Sequence, residues 1–220
     1  MPRRWIVIAV LGCLLLGWWL SNPRSSLPAA ATVAGAVETT SADTSACPLP
    51  PRVEPGAPPL QSEVPSSMPP LKTEGATLQP LAGFSVEARV LGREDYRMGR
   101  EAEFSPTDLA LGWGRMTEDA VLAQLQISQG GRWYRYRWKH DPPIPLGEIV
   151  RSSANMHMVP ADDEVAAALR DVDAGERVRI DGWLVQVNTP DGWRWRSSLT
   201  REDTGGGACE VVYVCAVSTY

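Results

Sequence analysis

Arg177-Val-Arg-Ile-Asp-Gly-Trp-Leu-Val-Gln-Val-Asn188 carries the pattern on which the fold turns. Val178 and Ile180 alternate with charged residues before Asp181-Gly182, and Trp183, Val185 and Val187 hold the apolar positions after it. Side chains of a strand alternate between faces, so this reads as one long strand whose apolar set changes side. An Asp-Gly step at the change predicts a bulge or sharp bend. A long bent strand suits a small barrel, partly open and OB-like or SH3-like.

The flanking sequence supplies partners for that strand. Upstream, Asp162 follows Pro160 and can cap a helix that carries Val165, Ala168, Leu169 and Val172 at helical spacing, with Gly175 ending it. Downstream, Thr189-Pro-Asp-Gly192 is a turn and Trp193–Ser197 returns. Glu210–Val217 reads as a strand buried on both faces. Earlier, Phe84–Val90 alternates as a half-buried strand, and Gln129-Gly-Gly-Arg132 turns into the strand Trp133–Trp138. Ser105-Pro106-Thr107-Asp108 carries the signals of a helix start, and Thr117-Glu118-Asp119 opens another short helix. Asp141–Pro145 must be loop. The expectation is an α+β fold: one β-rich domain over residues 81–220 with a few short helices.

Residues 21–80 hold 12 prolines and no Phe, Trp or Tyr, whereas six of the nine tryptophans and every Phe and Tyr follow residue 80. Chain without large apolar side chains does not offset its ordering entropy, so 21–80 reads as a disordered, semi-stiff, Pro-rich spacer. Before it, Arg3 and Arg4 precede an uncharged run from Trp5 to Leu20. Sixteen helical residues span about 24 Å, slightly short of a hydrocarbon core of roughly 30 Å. Trp18 and Trp19 suit the membrane interface, and the small-residue cleavage candidates Ala29–Ala31 and Ala34–Ala36 lie far beyond the run. Residues 1–20 are therefore expected to stay as a single-pass inner-membrane anchor, with 5–20 in the bilayer; the alternative is a removed signal segment, and either one exports the domain. The two arginines keep the N-terminus cytoplasmic and send the rest to the periplasmic side. Val10-Leu-Gly-Cys13 loosely resembles a lipobox, but the apolar run continues past it, so Cys13 reads as a small residue of the anchor helix.

The net charge is −5, and residues 81–220 alone hold 16 Lys+Arg against 21 Asp+Glu. That balance argues against general polyanion binding and against nucleic acid as partner. No Cys-x-x-Cys, His-x-x-x-His or His-Glu-x-x-His spacing occurs, so neither a metal site nor a cofactor is expected. Gly205-Gly206-Gly207 lacks the Lys-Ser/Thr of a nucleotide loop.

Chemistry concentrates in Ser198-Leu-Thr-Arg-Glu-Asp-Thr-Gly-Gly-Gly-Ala-Cys-Glu210 and Ser153-Ala-Asn-Met-His-Met-Val-Pro160. In these segments the chain resembles a family of bacterial membrane-anchored proteins with Asn-x-His-x-x-Pro and Asp-Thr-Gly-x-Gly-Ala-Cys-Glu signatures. The resemblance spans most of residues 85–217. It implies export and the domain limits, and it assigns no activity. From the residue types, Cys209 is the candidate nucleophile, His157 its base and Asn155 the residue that orients the base. Arg201 and Asp203 are candidate ligand contacts in the same glycine-rich stretch.

Within a strand, Cys209 and Cys215 would sit near 20 Å apart, too far for a bridge, leaving Cys47 to pair with Cys209 or with another molecule. Arg132-Trp-Tyr-Arg-Tyr-Arg-Trp-Lys139 and Trp193-Arg-Trp-Arg196 interleave aromatic and basic residues. They place Trp133, Arg135, Arg137 and Lys139 on one strand face and Arg194 with Arg196 on another, a pattern able to stack sugars or single-stranded nucleic acid. The leading expectation is a non-enzymatic, membrane-tethered extracytoplasmic binding or assembly module with an envelope protein or glycan as partner. A thiol-dependent enzyme using Cys209 and His157 is the alternative, and a Trp/Arg-lined glycan or nucleic-acid binder is the third.

Overall fold

Ten strands follow in chain order among residues 47–200 and 209–220, which a computed structural model describes. They are β1 Leu60–Ser62, β2 Leu71–Thr73, β3 Ala76–Asp95, β4 Thr107–Gly112, β5 Gln126–Gly130, β6 Trp133–Arg137, β7 Ser153–Pro160, β8 Arg177–Asn188, β9 Arg194–Arg196 and β10 Glu210–Thr219. Four short helices join them: α1 Arg100–Phe104, α2 Asp119–Leu122, α3 Leu146–Arg151 and α4 Asp163–Arg170. The α+β class read from the sequence is the one observed. The expected anchor (1–20), the first part of the expected spacer (21–46), Arg201 and Asp203 lie outside the described residues. No helix among the described residues is long and apolar enough to cross a membrane.

Five strands close into a ring: β3 pairs β4, β4 pairs β7, β7 pairs β10, β10 pairs β8, and β8 returns to β3. Only β7–β10 is parallel, and α4 lies in the connection between β7 and β8. Phe84, Val86, Leu109, Leu111, Met156, Met158, Ile180, Leu184, Val212 and Val214 fill the same core cluster, each at most 2 % exposed. Burying one such side chain stabilises by about 1.5–3 kcal/mol against about 1 kcal/mol for a net hydrogen bond, so this apolar cluster dominates the energetics. Val165 and Leu169 of α4 add to it. As expected, Asp162 caps α4, its side chain accepting from the Val165 N–H at 2.8 Å.

The apolar set of β8 changes side at Asp181-Gly182 as expected, but the extra residues lie on its partners rather than on β8 itself. β8 pairs with β3 without interruption from Arg177 to Asn188, and the irregularities sit on β3 between Pro80 and Ala82 and on β10 between Val214 and Ala216, opposite Gly182 and Asp181. Val178, Ile180 and Leu184 share the inner cluster, while Trp183, Val185 and Val187 join a second one with Leu71, Leu78, Phe104, Val211 and Tyr213. The alternation was sound; what the sequence hid is that a second layer buries the strand's outer face. Gly182 is needed for a different reason. A Cβ there would run into the Tyr213 carbonyl and come within 3.1 Å of the Val214 Cα, so β10 crosses where β8 has no side chain.

Two further expectations are corrected. Ser105-Pro-Thr-Asp108 does not start a helix: Ser105 ends α1, and Thr107 and Asp108 open β4. Every residue of β4 is buried and paired with β7, and that tertiary pairing overrides a local capping signal. The spacer stops being a spacer at Cys47. Val53, Leu71 and Leu78 are buried, β1 and β2 pair with β3, and the Trp183 indole N–H donates to the Pro48 carbonyl at 2.7 Å. Arg52 meets the buried Asp181 carboxylate at 3.1 Å, and the Val53 N–H donates to Ser85 Oγ at 2.9 Å. A disulfide joins Cys47 to Cys215, so the bridge takes Cys215 rather than Cys209. Borrowed apolar surface and a covalent tie thus replace the aromatic residues this segment lacks.

The β5–β6 hairpin is the site's other support. Gly131 (φ 60°) and Arg132 (φ 69°) form its two-residue turn, the left-handed geometry that matches strand twist. Ile127, Tyr136 and Trp138 pack against a cluster of Met116, Val121 and Ile149, and the Tyr134 hydroxyl donates to Ser153 Oγ at 3.0 Å.

Candidate functional site

Alternate residues of β4 and β7 split between the two faces of the ring. Leu109, Met156 and Met158 belong to the inner cluster, so Asp108, Asn155 and His157 project from the outer face. The register sets Asp108 opposite His157 and Ala110 opposite Asn155, and the parallel strand β10 sets Val211 beside His157. Cys209 stands one residue before β10, on the side of Asn155.

Asp108 has no solvent exposure, and its carboxylate is fully engaged. Oδ1 accepts from Arg132 Nη1 at 2.6 Å and from His157 Nδ1 at 2.9 Å, while Oδ2 accepts from Asn155 Nδ2 at 3.1 Å. A buried carboxylate without such partners would carry a desolvation cost of several kcal/mol. With Nδ1 directed at Asp108, the second ring nitrogen, Nε2, is the one turned away from the carboxylate. Gln129 Nε2 braces the arrangement, donating to Asn155 Oδ1 at 2.7 Å and to the Asp108 carbonyl at 3.2 Å.

Arg132 reaches this cluster because its backbone adopts the left-handed turn. Its N–H donates to the Tyr96 hydroxyl at 2.8 Å, and its guanidinium lies 3.9 Å from the Tyr96 ring centre and 5.9 Å from that of Trp195. Its carbonyl accepts from Asn155 Nδ2 at 3.2 Å and lies 4.0 Å from Cys209 Sγ. A non-glycine residue held at positive φ costs of order 1–3 kcal/mol, a strain that recurs at functional sites. Arg132 Nη2 is buried and has no hydrogen-bond partner among the described residues. Trp195 stacks obliquely on the His157 ring at 4.8 Å. Burial pushes the Tyr96 phenol above its ordinary value; the Asp108 charge adds to the shift and Arg132 opposes it.

Asn155 is the link between the other two candidates: it donates to the Arg132 carbonyl, against which Cys209 Sγ lies, and to the Asp108 carboxylate, which holds His157. The structure changes one role: the group that orients His157 is Asp108, with Asn155 holding Asp108 in turn. The basic candidates are elsewhere. Trp133, Arg135 and Arg137 are exposed along β6, and Arg194 and Arg196 are exposed on β9, Arg196 donating to Gln186 Oε1 at 3.1 Å. Between those two arginines, Trp195 turns the other way, onto His157.

Sequence reasoning passed over Asp108, Gln129, Tyr96 and Trp195. Strand alternation in Arg194-Trp-Arg196 was a usable signal for Trp195, whereas Asp108 was hidden by its helix-start context. Among the described residues no group of three or more His, Cys, Asp or Glu side chains is placed to hold a metal ion. No family model, curated protein or solved structure matches the chain, so the geometry carries the functional reading.

Proposed function

We propose that this chain is a membrane-tethered, extracytoplasmic binding module on an OB-like barrel, and that the cluster around Asp108 is its ligand site. The order β3-β4-β7-β10-β8-β3, the parallel β7–β10 pair and the helix between β7 and β8 match an OB-like barrel. Such barrels take ligands on the face of their second and third strands, which here are β4 and β7. The Cys47–Cys215 bridge supports an oxidising compartment, and the Trp5–Leu20 run supports the tether.

One observation carries the ligand reading: Arg132 Nη2 is a buried donor that no described group satisfies. An unsatisfied buried donor costs about 1–3 kcal/mol, more when charged, and persists where a ligand oxygen completes it. Beside it stand the His157 ring and the Trp195 indole, so the site suits a small ligand that presents an acceptor oxygen next to a flat or apolar body. The experiment is 19F NMR of the full chain carrying 5-fluorotryptophan, with the Trp195 signal assigned by Trp195→Phe. N-acetylated amino acids and inorganic phosphate serve as probes. A saturable shift of the Trp195 signal that Arg132→Lys abolishes is the expected result. Shifts that are absent, or equal in the variant, refute the site.

A second reading has its own support. Asp108 holds His157 by Nδ1, the orientation in which Nε2 can take a proton, and Cys209 stands on the same side of the ring. Thiol reactivity tests it. If His157 activates Cys209, iodoacetamide alkylates that residue rapidly at pH 6–7 and slowly in His157→Gln. A rate that rises only around pH 8.5, the ordinary thiol value, removes this reading.

A further inference from the structure

The β5–β6 hairpin shows a second surface, separate from the Asp108 cluster. Residues 126–140 contain Arg132, Arg135, Arg137 and Lys139 and not one Asp or Glu, in a chain of net charge −5. Arg132 turns inward; the other three cations do not. Along β6 exposure alternates strictly, with Trp133, Arg135 and Arg137 exposed and Tyr134 and Tyr136 half-buried. On β5 the residues opposite the two arginines are Ser128 and Gln126, also exposed. Cations two residues apart on a strand repeat at about 6.7 Å. Among the described residues Arg135 reaches only the Gly130 carbonyl, at 3.3 Å, and no carboxylate pairs with Arg135, Arg137 or Lys139. Beyond the strand's end this face meets an open groove of about 540 Å³, lined by Gln124, Gln126, Lys139, His140 and Asp141 among others.

We propose that this face docks a linear acidic polysaccharide, its carboxylates on Arg135, Arg137 and Lys139. One sugar stacks on Trp133 and the chain continues into the Gln124–Gln126 groove. Charge complementarity selects an anionic partner. The aromatic distribution selects among anions: Trp133 alone is exposed, at 37 %, while Tyr136 and Trp138 are committed to the core beneath. Single-stranded nucleic acid is held by stacking successive bases on successive aromatic rings, which this face does not offer. Carboxylates in a row match guanidinium forks, and the side-chain amides and the imidazole in the groove match hydroxyl groups.

The test uses the full chain in detergent micelles and four probes: polygalacturonate, neutral dextran, a 20-nucleotide oligothymidylate and anionic phosphatidylglycerol vesicles. Polygalacturonate is retained at low salt, and retention falls as salt rises. Arg135→Gln with Arg137→Gln weakens retention at least tenfold, with thermal unfolding unchanged because these two arginines are exposed, and Trp133→Ala weakens it severalfold. Equal retention of dextran, preference for oligothymidylate, or binding carried instead by anionic phosphatidylglycerol vesicles would each overturn the assignment. So would wild-type retention by the double variant. Arg132→Lys, which tests the Asp108 site, leaves polygalacturonate retention intact, so the two sites fail or stand separately.

Discussion

Asp108 Oδ1 lies 2.9 Å from His157 Nδ1, across neighbouring strands of one ring and with both side chains closed off from solvent. The same oxygen takes the Arg132 guanidinium. One carboxylate thus neutralises a cation that arrives from a separate hairpin and holds Nδ1 of a histidine on the adjacent strand. The pairing makes the outer face of β4 and β7 a built polar site on an apolar barrel.

Removing that carboxylate strands the Arg132 charge. Breaking a buried pair from one side costs about 3–5 kcal/mol because the remaining ion has no counter-charge. Asp108→Ala is expected to lose that much in urea unfolding, and the double variant Asp108→Ala/Arg132→Ala to recover part of it. A single variant within 1 kcal/mol of wild type would mean that Asp108 is not the hub.

Alkaline pH loosens the hairpin through Tyr134. Burial pushes this phenol well above its ordinary value, with the hydrogen bond to Ser153 opposing the shift. A pKa raised by folding leaves stability intact below the unfolded value of about 10, and stability falls as pH rises beyond it, because only the unfolded chain ionises readily. Urea midpoints are expected to be flat from pH 7 to 9.5 and to drop above pH 10. Tyr134→Phe lessens that drop while lowering the midpoint at pH 7 by the lost hydrogen bond. An identical alkaline slope in the variant would shift the effect to other tyrosines.

The bridge between Cys47 and Cys215 spans a sequence separation of 168 residues. In the chain-entropy account, closing so large a loop stabilises by roughly 5 kcal/mol, with measured losses of about 2–5 kcal/mol when such bonds are removed. Cys215→Ser is expected to lower stability in that range and Cys209→Ser to leave the bridge in place. Non-reducing peptide mapping checks the pairing directly; a Cys47–Cys209 peptide or a covalent dimer would contradict it.

What the sequence revealed and what it hid divide along the range of the forces involved. The α4 helix was legible because its cap, its apolar spacing and its terminal glycine all lie within 14 residues, Asp162 to Gly175. The β6 alternation and the Gly131-Arg132 turn were legible for the same reason. Asp108 was not, since Ser-Pro-Thr-Asp carries a helix signal that only the pairing of β4 with β7 overrides. Residues 47–80 were misjudged by composition because their order comes from Trp183, Asp181 and Cys215, all more than 90 positions away. Cys209, His157 and Asn155 were singled out by residue type; that Asn155 touches both the Arg132 carbonyl beside Cys209 and the Asp108 carboxylate that holds His157 is a tertiary fact with no local signature.

Two glycines separate backbone strain from steric closeness. Gly175, at φ +96°, has nothing within 4 Å of where a Cβ would stand, so Gly175→Ala carries only the conformational cost, about 1–2 kcal/mol. Gly182 carries no such φ, but its missing Cβ is the space into which the backbone of β10 fits. Backbone, unlike a side-chain end, has no alternative rotamer, so Gly182→Ala must push β10 off β8 or fail to close the ring. The expected loss is at least about 3 kcal/mol, above the usual range for overpacking. Because β10 also carries Val211 beside His157, the same shift disturbs the Asp108 cluster. In the 19F experiment, the Trp195 signal should therefore move in Gly182→Ala even without added probe, and stay in place in Gly175→Ala. Equal costs for the two substitutions would show that β10 has slack at this crossing, and the ring would then not be what fixes the site.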